Sequence, residues 1–125
     1  MRIPATLAAL VMLASFGCGG STSVPTVSPT PLLPLTPGTS VSIVMGASAL
    51  TTAAYSPSPV RLALGSSVTW INRDNTAHTS TADGGAWNSA EIAPGRTFTR
   101  TFTTAGSFPY HCTIHRGMVG TIEVQ

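Results

Sequence analysis

The sequence predicts an all-β domain, a sandwich of about seven or eight short strands, behind a leader and a linker. Three observations carry this. No long segment has helical period. Apolar residues instead alternate with polar ones in short runs, as they do on a half-buried strand. Between the runs stand turn residues, among them Gly65, Asp83-Gly84-Gly85, Pro94-Gly95 and Ala105-Gly106.

Residues 1–17 are a leader rather than fold. Arg2 is a short basic start, and Leu7 to Leu13 is an apolar run too short to span a membrane. The following Ala14-Ser15-Phe16-Gly17-Cys18 resembles a bacterial lipoprotein signal, in which cleavage leaves a lipidated Cys18. Ordinary cleavage nearby is the alternative. Either way the protein is expected to be exported, to the periplasm or the cell surface, with any membrane attachment made through that lipid. Residues 18–40 carry Pro25, Pro29, Pro31, Pro34 and Pro37 among Ser and Thr, a composition that cannot bury a core. As a semi-stiff extended linker, 20 such residues reach about 60 Å at ~3.1 Å each.

The domain is expected over 41–125. Val41, Ile43 and Met45 alternate as a first strand, and Val60, Leu62 and Leu64 as a second that Gly65 ends. Ser67 to Asn72 is a third, with Val68 and Trp70 on one face, and His78 to Ala82 a fourth. Thr97 to Thr103 is a fifth; Arg100 shares a face there with Phe98 and Phe102, which argues for a sheet edge or a bulge. In Ser107 to Cys112, the residues Phe108, Tyr110 and Cys112 face inward together. Met118 to Val124 closes the sheet, with Ile122 and Val124 in the core.

The chemistry is concentrated in Tyr110-His111-Cys112-Thr113-Ile114-His115-Arg116-Gly117-Met118. A thiolate ends a strand, the turned chain presents His115, and Met118 follows. One hairpin cannot surround an ion, so a further ligand must come from another strand, and His78 is available after Asn72. Two imidazoles, a thiolate and a thioether are the donors of a trigonal copper site with a weak axial sulfur. Alternation turns His111 away from Cys112, so His111 is not expected to be a ligand. Zinc is the rival metal, because Cys and His also bind it, but Met is a poor zinc ligand.

At these residues the chain resembles a known family. Cys-x2-His-x2-Met-x-Gly before a final apolar strand is similar to the cupredoxins, the blue copper proteins, and its short gap to Met is most like amicyanin. Val68-Thr69-Trp70-Ile71-Asn72 followed by His78-Thr79 resembles the family's segment with the first His. The resemblance covers about Val41 to Gln125. It implies a Greek-key sandwich, one type 1 copper ion held by His78, Cys112, His115 and Met118, and one-electron transfer rather than enzymatic catalysis. It also implies transient redox partners, such as a cytochrome, a dehydrogenase or an oxidase. Asn72, Thr79 and Ile114 are expected to support the ligands. The family often has Pro where Ile114 stands, and Ile114 adds an N–H that Pro lacks. That N–H either reaches the Cys112 sulfur, beside one from Thr79, or faces solvent.

Counting excludes other classes. With three His in the chain, only His111 remains after His78 and His115, too few for a second copper site. The domain has Arg61, Arg73, Arg96, Arg100 and Arg116 against Asp74, Asp83, Glu91 and Glu123, so it lacks the basic face of a nucleic-acid binder. No Ser-His-Asp set or phosphate loop is present. With one Cys at the processing site and one in the ligand motif, no disulfide is expected, and the domain is expected to be a monomer. The readings left open are an electron carrier, a copper-handling protein without a redox partner, and a metal-free sandwich module.

Overall fold

A computed structural model of the chain describes residues 38–125. The leader, Cys18 and most of the linker lie outside the described residues. The alternating runs form β1 (Thr39–Ile43), β2 (Tyr55–Ser56), β3 (Val60–Leu62), β4 (Ser67–Asn72), β5 (Thr81–Ala82), β6 (Thr97–Thr101), β7 (Gly106–His111) and β8 (Val119–Val124). They make two four-stranded sheets, in the orders β2-β1-β4-β6 and β3-β8-β7-β5. The β1–β4 and β3–β8 pairs are parallel and the others antiparallel. This is the expected all-β sandwich.

The strand at Ser67–Asn72 has the expected bounds, with Val68, Trp70 and Asn72 buried. Elsewhere the alternation overran the strands. β1 ends at Ile43 because Gly46, at φ +73°, starts a 3-10 turn over Ala47–Ala49, and Met45 is left 66% exposed. β3 ends at Leu62 before the turn at Gly65, φ +86°, and Leu64 is exposed. Of the fourth expected strand only Thr81–Ala82 is strand; His78 makes a single bridge, to Ile92. β6 and β7 stop at Thr101 and His111, and β8 starts at Val119. The pair Tyr55–Ser56 was not expected, and it adds a strand on β1.

Between the sheets lies an aromatic core. The Trp70 ring, wholly buried, stands 5.6 Å from Phe98, 5.8 Å from Trp87 and 5.6 Å from Tyr110 between centroids. Tyr110 in turn meets Tyr55 edge-on at 4.8 Å. Each such pair contributes about 1 kcal/mol beyond the area it buries. Arg100 lies on β6, which is an edge strand as expected. Its guanidinium sits over Trp87, 5.5 Å from the ring centroid, a cation–π contact that lets a charge line an apolar core.

β7 carries the pattern into the site. Tyr110 on its inner face and Cys112 just past its end are both buried, and Gly120 is the residue opposite Tyr110 on β8. A methyl group added at Gly120 would fall within 2.8 Å of three Tyr110 ring and hydroxyl atoms. The ring is held by Tyr55, Trp70 and Trp87 and has nowhere to go. Gly120→Ala is therefore expected to destabilise the domain by about 2 kcal/mol, lowering Tm by about 10 °C. An unchanged Tm in thermal unfolding would show that the Tyr110 ring does not lie over Gly120.

Candidate metal centre

The loop between β7 and β8 forms from its own backbone bonds. The Cys112 N–H donates to the Met118 carbonyl at 3.1 Å, and the Met118 N–H donates to the His115 carbonyl at 2.9 Å. These close the loop and bring His115 back over Cys112. Met118, wholly buried, ends it.

His78 arrives from the other side and is fixed at every group. Its N–H and C=O both pair with Ile92, at 3.2 and 2.7 Å. Its ring is completely buried, with Nε2 2.8 Å from Asp74 Oδ2. The loop before it is shaped by Asn72. The side-chain amide of Asn72 donates to the carbonyls of Thr76 and Ile92, both at 2.8 Å, and its oxygen accepts the Asp74 N–H at 2.9 Å. That supports the expected role for Asn72 in holding the first His.

Three donor atoms converge. Nδ1 of His78 and Nδ1 of His115 are 3.1 Å apart, and Cys112 Sγ lies 3.9 Å from the first and 4.0 Å from the second. A point equidistant from such a triangle is about 2.1 Å from each corner, close to imidazole–metal and thiolate–metal bond lengths of ~2.0–2.3 Å. Two imidazole nitrogens this close, beside a thiol sulfur, can share a proton or a soft cation between them. The donor set thus fits a copper ion. Met118 belongs to the same loop, but His78, Cys112 and His115 are the residues whose donor atoms the structure groups together.

The sulfur accepts two amide hydrogen bonds, from Thr79 N–H at 3.3 Å and from His115 N–H at 3.4 Å. Thr79 takes the expected place. Of the two outcomes open for the Ile114 N–H, reaching the sulfur is not the one seen: the second amide is that of His115, three residues after the Cys, where the turn directs its N–H back at the sulfur. Ile114 itself is 45% exposed and caps the loop. His111 faces away from the site, its Nδ1 2.5 Å from Asp83 Oδ1.

The surroundings of the thiolate are dry. The Tyr55 hydroxyl donates to the Thr79 carbonyl at 2.5 Å, and burial, with the nearby Cys112 adding to it, pushes that phenol above its ordinary range. Burial likewise raises the Tyr110 phenol, against the opposing effect of the nearby Trp70 N–H. Both stay neutral. The one buried anion beside the ligands is Asp74. The Gly46 amide, ahead of His78, Asn75 and Thr76, holds its carboxyl well below the usual carboxylate range, against the opposing effect of burial. Reading the sequence did not single out Asp74. The available signal was a carboxylate four residues before the His in a loop opened by Asn.

Comparison with known proteins agrees with this geometry. Residues 41–125 match the model of copper-binding proteins of the plastocyanin/azurin family. Amicyanin of Paracoccus denitrificans is 30% identical over 133 aligned residues, covering 99% of this chain and 96% of that protein. Plastocyanin of Scenedesmus fuscus is 34% identical over 84 residues, covering 57% of this chain and 86% of its own. Among solved structures, a purple cupredoxin from Nitrosopumilus maritimus superposes with a TM-score of 0.64 at 29% identity, over 69% of this chain and 98% of that one. The family match over the whole folded domain, together with two inward imidazoles and one buried sulfur, means that the chain belongs to the plastocyanin/azurin family of copper-binding proteins, the cupredoxins, with copper as its cofactor.

Proposed function

We propose that the protein is a one-electron carrier, its copper held by His78, Cys112 and His115 with Met118 as the weak axial ligand. The observation that carries the reading is the convergence of two imidazole nitrogens and one sulfur within 4.8 Å of one another. When bound there, copper supplies a Cu(II)/Cu(I) couple that takes up and returns one electron.

The residues of the chain do the rest. His78 and Cys112 are wholly buried and tied by backbone bonds, so little rearranges around a change of one charge. The two N–H groups on Cys112 Sγ withdraw charge from the thiolate and tune the couple. His115 is the ligand that is only partly buried. Its neighbours Ile114 and Val119 are exposed, the latter at 39%, and make an apolar rim around it. A small patch of this kind suits a transient redox partner. A cytochrome, dehydrogenase or oxidase outside the cytoplasm fits that role. The leader and Cys18 support export and a lipid anchor, with the linker holding the monomeric domain off the membrane.

Cys112→Ser is expected to abolish the intense visible charge-transfer band, because the thiolate is its source. A copper-loaded variant that keeps the band would remove the assignment. Met118→Leu is expected to bind copper with a raised potential, by about 59 mV for each tenfold loss of Cu(II) affinity relative to Cu(I). A lowered potential in voltammetry would count against Met118 as axial ligand. Val119→Asp is expected to slow electron self-exchange several-fold while leaving the spectrum unchanged. NMR line broadening measures this, and an unaltered rate would show that electrons do not pass through the rim around His115.

A further inference from the structure

Asp74 is buried behind the His78 ring, and every group hydrogen-bonded to its carboxylate is a donor. Its Oδ1 accepts the amides of Gly46 at 3.0 Å and Asn75 at 2.8 Å. Its Oδ2 accepts the Ala47 amide at 3.2 Å, the Thr76 hydroxyl at 3.2 Å and the His78 ring at 2.8 Å. The Asp74 N–H is itself taken by Asn72, so the carboxylate cannot drift. A carboxylate has acceptors only, and the Thr76 hydroxyl, 3.1 Å from His78 Nε2, gives its own hydrogen to Asp74 Oδ2, so both neighbours of Nε2 present oxygen lone pairs and the His78 proton belongs on Nε2.

We propose that Asp74 is a positioning residue for the metal: by accepting the Nε2–H it fixes the His78 tautomer with its Nδ1 lone pair aimed at Cys112 and His115, and through Gly46 and Ala47 it anchors that ring to the turn after β1. The inference rests on His78 being a copper ligand, as read above. The turn matters because Gly46 adopts φ +73° and turns its N–H, with that of Ala47, toward residue 74. The buried negative charge also raises the donor strength of the imidazole, which favours Cu(II) over Cu(I).

Asparagine tests this with almost no change of shape. Its one oxygen cannot serve both sides. If it keeps the amides of Gly46 and Asn75, its NH2 group faces His78 Nε2 and demands a lone pair there. The ring then carries its proton on Nδ1, the atom that has to face the metal. If it turns round, the NH2 group confronts the two amides instead.

The experiment uses the full chain, labelled with 15N-histidine, metal-free and loaded with Cu(I), for the natural sequence and for Asp74→Asn. The natural protein is expected to show a slowly exchanging Nε2–H on His78 in both forms, with the Nδ1 shift moving on loading. In Asp74→Asn that proton is expected to move to Nδ1 or to exchange rapidly, with Cu(II) affinity lower by about 10- to 100-fold and the potential raised. An Asp74→Asn protein with the same tautomer and Cu(II) affinity within twofold of the natural chain would overturn the proposal. So would an Nδ1–H on His78 in the natural metal-free protein, a measurement that does not depend on the variant folding. An Nδ1 shift that stays put on Cu(I) loading would instead overturn the ligand assignment, and the role of Asp74 with it.

Discussion

The two halves of the copper site meet at Thr79. Its N–H donates to Cys112 Sγ, its carbonyl accepts the Tyr55 hydroxyl, and its side-chain oxygen accepts the Thr113 N–H at 2.8 Å. One residue therefore ties β2, the His78 segment and the β7–β8 loop into a single unit. His78 and Cys112 are 34 positions apart in the chain, and no local preference could hold their rings and sulfur at van der Waals distance. Without this joint the thiolate would be a buried sulfur with one amide neighbour, and the first imidazole would belong to a separate loop.

Around the joint the site is asymmetric, and the asymmetry suits the electron transfer proposed for it. On the inner side Asn72 and Asp74 lock the first imidazole through buried hydrogen bonds, and the Tyr55, Tyr110 and Trp70 rings pack edge-on against one another in the core beside the wholly buried Cys112. A buried polar network of this sort is stiff when each member is satisfied. On the outer side His115 sits on a short loop with one face toward solvent. Rigidity on one side limits reorganisation, and exposure on the other shortens the path to a partner. The same low polarity that excludes water from the thiolate makes every hydrogen bond to it count for more.

The features that were legible in the sequence are those that depend on near neighbours. Strand β4 was read with correct bounds because its alternation lies within six residues and both ends meet polar or turn residues. Arg100 at an edge strand followed from its awkward place beside Phe98 and Phe102. The inward Cys112 and outward His111 followed from the two-residue repeat alone, and the His111 contact with Asp83 agrees. The ligand group was legible because Cys112 and His115 share one loop and His78 follows an Asn-ended strand.

What the tertiary structure decided involves groups that meet only after folding. Met45 and Leu64 continue an apolar alternation, yet Gly46 and Gly65 turn the chain and leave both outside the sheets. The short β2 exists because β1 offers it an edge. The second amide on the sulfur belongs to His115 and not to Ile114, since the loop's curvature sets which N–H points inward. Asp74 has its importance from the amides of Gly46 and Ala47, 28 and 27 residues earlier. Residue type and spacing alone determined the all-β class and the donor atoms for copper, because alternation and ligand chemistry are local. The stops of the strands, the amides on the thiolate and the carboxylate behind His78 were left to the fold, because each depends on a donor or an edge brought from far along the chain.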